Sequence, residues 1–219
     1  MTRPTLHLER TVAASPIWIR MRDTFTGSPP TGPVHVALDR RVGANWVAIK
    51  HRHQLSATGD LAYVNLGRSG DPRAVGTFDV RVSVDSPGTI PESSSGDAAI
   101  TKTITAWAPG APNAPSLPDE LRLFPGPSYA FPAATPLLAG RVTNADGEPV
   151  PRARVWATAT VQNTLLTEEV RSDGDGRFRL PLRWSAGATD IHASSGAHAG
   201  SITVVVPADL SSTHQITLT

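Results

Sequence analysis

The stretch with the densest potential chemistry is Arg171–Leu180, RSDGDGRFRL, in which Asp173 and Asp175 alternate with Gly174 and Gly176. Two carboxylates this close could begin a calcium loop. Such a loop needs oxygen ligands at several further positions and a closing bidentate glutamate. Here Arg177 and Arg179 stand where further acids are wanted. The pair therefore reads as turn-stabilising acceptors, with Gly176 allowing the bend and Phe178 and Leu180 pointing into a core. A counterpart, SATGDLAYV over Ser56–Val64, keeps Gly59 but has Ala57 and Thr58 ahead of it and Asp60 after it. A turn tolerates that difference; a shared metal function does not.

The histidines offer a second route. His51 and His53, two residues apart, can share one face of a strand and so form half of a zinc site. A third ligand, such as His35 or Asp60, is not fixed by any spacing, so the pair is read as solvent-facing at a strand end. His192 and His198 flank ASSGA and read as loop or edge residues. The chain has no cysteine, which removes thiol nucleophiles and thiolate metal sites. No Gly-x-Ser-x-Gly elbow and no phosphate-binding glycine loop occurs. No catalytic residue, metal or cofactor is assigned, and the expectation is a protein that is not an enzyme. Of Trp18, Trp46, Trp107, Trp156 and Trp184, most sit inside strand-like runs and read as packing residues. Two of them exposed and coplanar would instead make a glycan platform.

These residues must be positioned by strands. The 219 residues include 20 prolines and 18 glycines, and helical periodicity never develops. Short alternating runs recur instead, among them PIWIRMR, VHVAL, TFDVRVSV, LLAGRVT, ARVWATATV, RFRLPLRW, TDIHAS and SITVVVP. Alternation of this kind between turn residues marks half-buried strands, and many short strands mark a sandwich or barrel. Strand signals follow the same order in both halves, with Gly27 and Gly59 spaced much like Gly147 and Gly176. The expected fold is all-β, two tandem Ig-like/transthyretin-like antiparallel β-sandwiches. The domains are placed at 1–126 and 137–219, joined by a Pro/aromatic linker over 127–136. The first carries a long Ser-rich loop over 85–99 and a Pro-rich segment over 108–118. Tyr129 and Phe131 on the linker are candidate binding residues, read first as docking contacts that hold it down.

At GRVTNADGEPVPRARVWATA followed by RSDGDGRFRLPL the chain resembles the carboxypeptidase regulatory-like family of transthyretin-like, seven-stranded sandwiches. Gly140 and Val142 match the opening strand, Gly147, Pro149 and Val150 the turn, and Ser172, Asp173, Gly176, Phe178 and Leu180 the last element. Arg152 departs from the glycine usual there. The resemblance implies a non-catalytic module that spaces, stabilises or presents a surface. Transthyretin-like folds also include hydrolases of 5-hydroxyisourate, but their Tyr-Arg-Gly-Ser ending is replaced here by HQITLT. The two-part arrangement is also similar to accessory proteins of phage-tail-like contractile injection systems.

With 20 Lys+Arg against 19 Asp+Glu and a net charge of +1, the chain lacks the basic excess of a nucleic-acid binder. No segment approaches the roughly 18 apolar residues of a membrane helix. The opening residues lack the apolar run of about 7–15 residues that a secretory signal needs. The expected partners are therefore proteins, through assembly or adaptor contacts in a larger bacterial complex. A glycan is the rival ligand. The chain is expected in the cytoplasm at synthesis, with incorporation into a released particle as a later fate.

Overall fold

The computed structural model describes residues 15–56, 58–68, 76–106 and 117–219. Among them every regular element is a strand, apart from one short 3₁₀ turn at Ala208–Ser211. The chain is all-β and divides into two compact units. One comprises Met1–Arg20, Ala37–Val82 and Thr101–Asp119; the other comprises Met21–Val36, Ser83–Ile100 and Glu120–Thr219. The stretch 127–136 thus lies in the second unit, while most of the Pro-rich segment 108–118 falls outside the described residues.

The first half provides β1 (Trp18–Asp23), β2 (His35–Val42), β3 (Asn45–Ala48), β4 (Gln54–Leu55), β5 (Asp60–Ala62), β6 (Thr77–Asp85), β7 (Thr89–Ser93), β8 (Ala99–Thr105) and β9 (Asp119–Pro125). The second half provides β10 (Leu137–Thr143), β11 (Arg154–Val161), β12 (Thr164–Arg171), β13 (Arg177–Pro181), β14 (Gly187–Ser195), β15 (His198–Val206) and β16 (Thr213–Thr217). The last seven form two sheets, ordered β13-β10-β16 and β12-β11-β14-β15. In the first half, the order β3-β2-β6-β8 reproduces the four-stranded sheet, and β5-β1-β9 reproduces the three-stranded one. There β4 and β7 are added as outer strands. The similarity of the halves is therefore one of topology, as the repeated order of strand signals suggests.

The C-terminal sandwich shows how the alternation works. Along β10 the side chains of Leu138 and Val142 are buried while Arg141 is exposed. On β13, Phe178 and Leu180 are buried between exposed Arg177 and half-buried Arg179. These residues meet Val155, Val170, Ile191, Val204 and Ile216 in one core. Gly140 lies opposite Phe178 in the β10–β13 ladder, and a Cβ there would run into the Phe178 ring and the His214 carbonyl. The glycine thus lets the ring lie flat across the strand.

Loops close with a shared device. In Asp173–Arg177 the Gly176 N–H donates to the Asp173 carbonyl (3.0 Å) and the Asp173 N–H to the Arg177 carbonyl (2.9 Å). The Asp173 side chain accepts from the Arg177 N–H at 2.9 Å. The same three bonds recur with Asn144, Gly147 and Glu148, with Ser93, Gly96 and Asp97, and with Ser56, Gly59 and Asp60. Each glycine has a positive φ, from 74° to 88°, which glycine adopts without a Cβ clash. A four-fold recurrence, mostly between strands of different sheets, makes this a general turn closure, so the likeness of Ser56–Val64 to Arg171–Leu180 is not by itself a mark of duplicated domains.

One expectation is overturned. The span 85–99 is not a loop: β7 lies within it and pairs antiparallel with β9, Ile90 opposite Phe124 and Glu92 opposite Arg122. Pro91 and the following serines make this span look like a breaker in sequence. At the sheet edge, however, a proline lacking its N–H forfeits no ladder bond.

Two glycines separate packing from turn freedom. Gly140→Ala should destabilise by about 1–3 kcal/mol, the cost of an overpacked site. Gly174→Ala, at a position with open space and no positive φ, should stay within about 1 kcal/mol of wild type. Urea unfolding of the two variants checks this; equal effects would contradict the account.

Candidate functional site

The residues singled out for chemistry are committed to local structure. Asp173 accepts from the N–H groups of Asp175 and Arg177, so its carboxylate builds the turn. Asp175 faces Arg177 at 3.6 Å with both side chains about two-thirds exposed. His51 Nε2 bonds the Val64 carbonyl at 2.9 Å. The rings of His51 and His53 lie 6.1 and 5.9 Å from that of Tyr63, so they flank a buried phenol. Burial pushes the Tyr63 hydroxyl up to about 12. Asp60 bonds Arg20 at 3.0 Å, and that bond holds its carboxyl below the usual range against desolvation. His35 is exposed at the start of β2.

Trp156 is half-buried, with His192 stacked on it at 5.3 Å and the Arg154 guanidinium 4.5 Å from its ring centre. Trp18 and Trp46 are half-buried, Trp184 is 44% exposed, and Trp107 lies outside the described residues. His198 borders a hollow of about 340 Å³ lined by Val150, Leu218 and Asn144 among others.

Tyr129 and Phe131 gather around Phe25, at ring distances of 5.7 and 5.1 Å, and lie 4.8 Å from each other. The Tyr129 hydroxyl donates to Asp23 at 2.6 Å. Desolvation, followed by that bond, raises the tyrosine above its ordinary range. Gly88 belongs to the same contact, since a Cβ there would come within 2.7 Å of the Tyr129 backbone.

The densest polar constellation of the second unit was not marked by any sequence motif. Arg171, at the end of β12, is buried, its side chain only 5% exposed. It donates two bonds to Glu92 on β7, at 2.6 and 2.9 Å, and one to Glu169 at 2.7 Å. Its guanidinium also lies 3.8 Å from the centre of the Phe124 ring. Arg122 and Arg154 extend the network to Glu92 and Glu169, and Arg152 donates to the Pro91 carbonyl at 2.7 Å. A second buried pair runs beside it. Glu168, with 3% of its side chain exposed, accepts from the Arg183 backbone at 2.8 Å and its Nε at 2.6 Å. Arg183 in turn lies over Phe25 at 4.1 Å.

Charge and burial balance differently at the two glutamates. Desolvation works to raise Glu92, but the Arg171 bond and the charges of Arg171, Arg122 and Arg152 outweigh it and hold the carboxyl below its ordinary range. At Glu168 desolvation wins over Arg183, and the carboxyl is raised. One sequence signal for Glu168 exists: it shares strand parity with Leu166 and Val170, a charge on an inward-facing row. Arg171 has no such signal, because β7 and Phe124, far away in sequence, bury it. What the constellation does chemically is hold segments together. Its donors and acceptors face one another, and among the described residues no three His, Asp or Glu side chains converge as a metal-binding group.

Residues 138–219 match the carboxypeptidase regulatory-like domain, so the C-terminal sandwich resembles that family. No curated protein matches the chain. Among solved structures, a shaft pilin, SpaA, from Lactobacillus rhamnosus GG aligns over 94% of this chain and 98% of its own, with 11% identity and a TM-score of 0.28. A C-terminal fragment of the pilus adhesin SpaC from the same organism aligns over 86% and 83%, with 11% identity and a TM-score of 0.21.

The two glutamates predict opposite pH behaviour. Glu92, lowered in the fold, contributes stability present above its unfolded pKa and lost as pH falls through the folded value. Wild type should therefore lose its advantage over Glu92→Gln on acidification. Glu168, raised in the fold, costs stability once ionised, so wild type should gain on Glu168→Gln as pH falls. Urea unfolding of the three proteins between about pH 7 and pH 3 reads both signs; parallel curves would contradict the assignment.

Proposed function

We propose that this protein is a non-catalytic structural or adaptor module that mediates protein–protein assembly within a larger bacterial complex. The observation that carries this reading is the Arg171 constellation. Desolvated charge is tied up in fixing β7, β9 and the C-terminal sandwich to one another. Removing one partner of such a buried pair typically costs about 3–5 kcal/mol, so the arrangement holds a defined surface. The match of residues 138–219 to the carboxypeptidase regulatory-like domain supports the same role, because modules of that family act as spacers, stabilisers or binding surfaces.

The finer form of the proposal is an accessory component of a phage-tail-like contractile injection particle, made in the cytoplasm and carried out with it. It is supported by the arrangement of two successive sandwiches of like topology. Glycan binding is the weaker reading, since the Trp156 ring is already engaged by His192 and Arg154.

Affinity purification from the native host, followed by mass spectrometry, tests the proposal. The expected outcome is stoichiometric recovery of protein partners, with tail-tube, sheath or baseplate-like proteins among them for the finer form. Recovery of this chain alone, together with saturable binding to a glycan array, would overturn it.

A further inference from the structure

The outward face of the three-stranded sheet β13-β10-β16 is cationic. Its outward positions include Arg177 and Arg179 on β13, Ala139 and Arg141 on β10, and Thr213, Gln215 and Thr217 on β16. None is acidic. The register places Arg141 directly opposite Arg177 on one side and Gln215 on the other. Directly opposed residues have Cα atoms roughly 4.5–5.5 Å apart, and like charges in that relation destabilise a sheet.

Arg179 has structural employment: it donates to the Pro127 carbonyl at 3.1 Å and lies near the Phe131 ring. Arg141 and Arg177 do not balance each other. Arg141 uses Nε on the Asp175 carbonyl at 2.9 Å, leaving its terminal nitrogens. Among the described residues, the Arg177 side chain has only the loose, exposed contact with the Asp175 carboxylate. Asp175 thus offers its backbone carbonyl to Arg141 and its solvated carboxylate to Arg177. Beside them lie Gln215, which donates to Thr143 at 3.2 Å, and the exposed Thr217.

We propose that this face docks an acidic segment of a partner protein, whose carboxylates bridge Arg141 and Arg177. Guanidinium forks match carboxylates two donors at a time, and an incoming anion relieves the repulsion between opposed arginines. Two arginines on a chain of net charge +1 make a local site for a carboxylate. They do not make the extended basic stripe that tracks a nucleic-acid backbone. The choice of a protein as the source of the acid rests on the assembly role proposed above.

The test uses the full chain and fluorescein-labelled hexaglutamate at low ionic strength, read by anisotropy. Wild type and the control Arg52→Gln, at an exposed position on the other unit, should bind saturably. The double variant Arg141→Gln/Arg177→Gln should bind about 2- to 30-fold more weakly, the sum of two exposed charge contacts. The double variant should still unfold cooperatively, since it gives up only an exposed bond to the Asp175 carbonyl and a loose contact with its carboxylate along with the repulsion. Absent binding, equal binding by all three proteins, or tighter binding of a charge-matched single-stranded DNA would each overturn the proposal. Purification of the double variant from the host separates this proposal from the assembly reading. Partners retained undiminished would refute this face alone, whereas wild type recovered without partners would refute the assembly role.

Discussion

An arginine taken out of water must find opposite charge or destabilise the fold, and Arg171 is the point where this chain meets that constraint. Its guanidinium is satisfied by a two-bond fork to Glu92, a third bond to Glu169 and the face of Phe124. Glu92 reaches it from β7, Phe124 from β9 and Glu169 from β12. Three strands far apart in sequence are thereby tied at one atom cluster. The burial that makes the arginine costly also strengthens its bonds, because screening by water is reduced.

Around that cluster the second unit repeats one chemical idea. Arg183 lies over Phe25 while holding buried Glu168, Arg179 lies over Phe131, and Arg122 lies over Phe124. Planar guanidinium groups cover aromatic rings and keep their donors in plane for carboxylates and carbonyls. The rings of Phe25, Tyr129 and Phe131 pack edge-on or tilted to one another, which places the 127–136 stretch as part of the packed unit. The arginines of this half are thus divided between two tasks. Arg171, Arg179 and Arg183 build the interior seams, whereas Arg141 and Arg177 stay exposed on an open sheet face.

Local features were the most legible in sequence. The run LLAGRVT coincides with β10, and the alternation of Phe178 and Leu180 with two arginines correctly assigns inward and outward faces. The turn at Asp173–Arg177 is readable because its glycine and side-chain acceptor act within five residues. β7 was not legible, because its proline is tolerated only at a sheet edge, and edge position depends on the whole topology. The Arg171 constellation was invisible for a related reason. Its partners lie 79 positions away at Glu92, and a local pattern carries no record of such pairing. The aromatic pair at Tyr129 and Phe131 suggested a docked segment, but its receptor, Phe25, carried no mark of its own.

The central claim is that the Arg171 cluster makes β7 part of the same cooperative structure as the C-terminal sandwich. Native-state hydrogen exchange measures this directly, because amides that open only in global unfolding share one free energy. The account predicts that the ladder amides of Thr89–Ser93 exchange with the same opening free energy as those of β11 and β14. Exchange of β7 through a separate local opening, well below the global value, would contradict it.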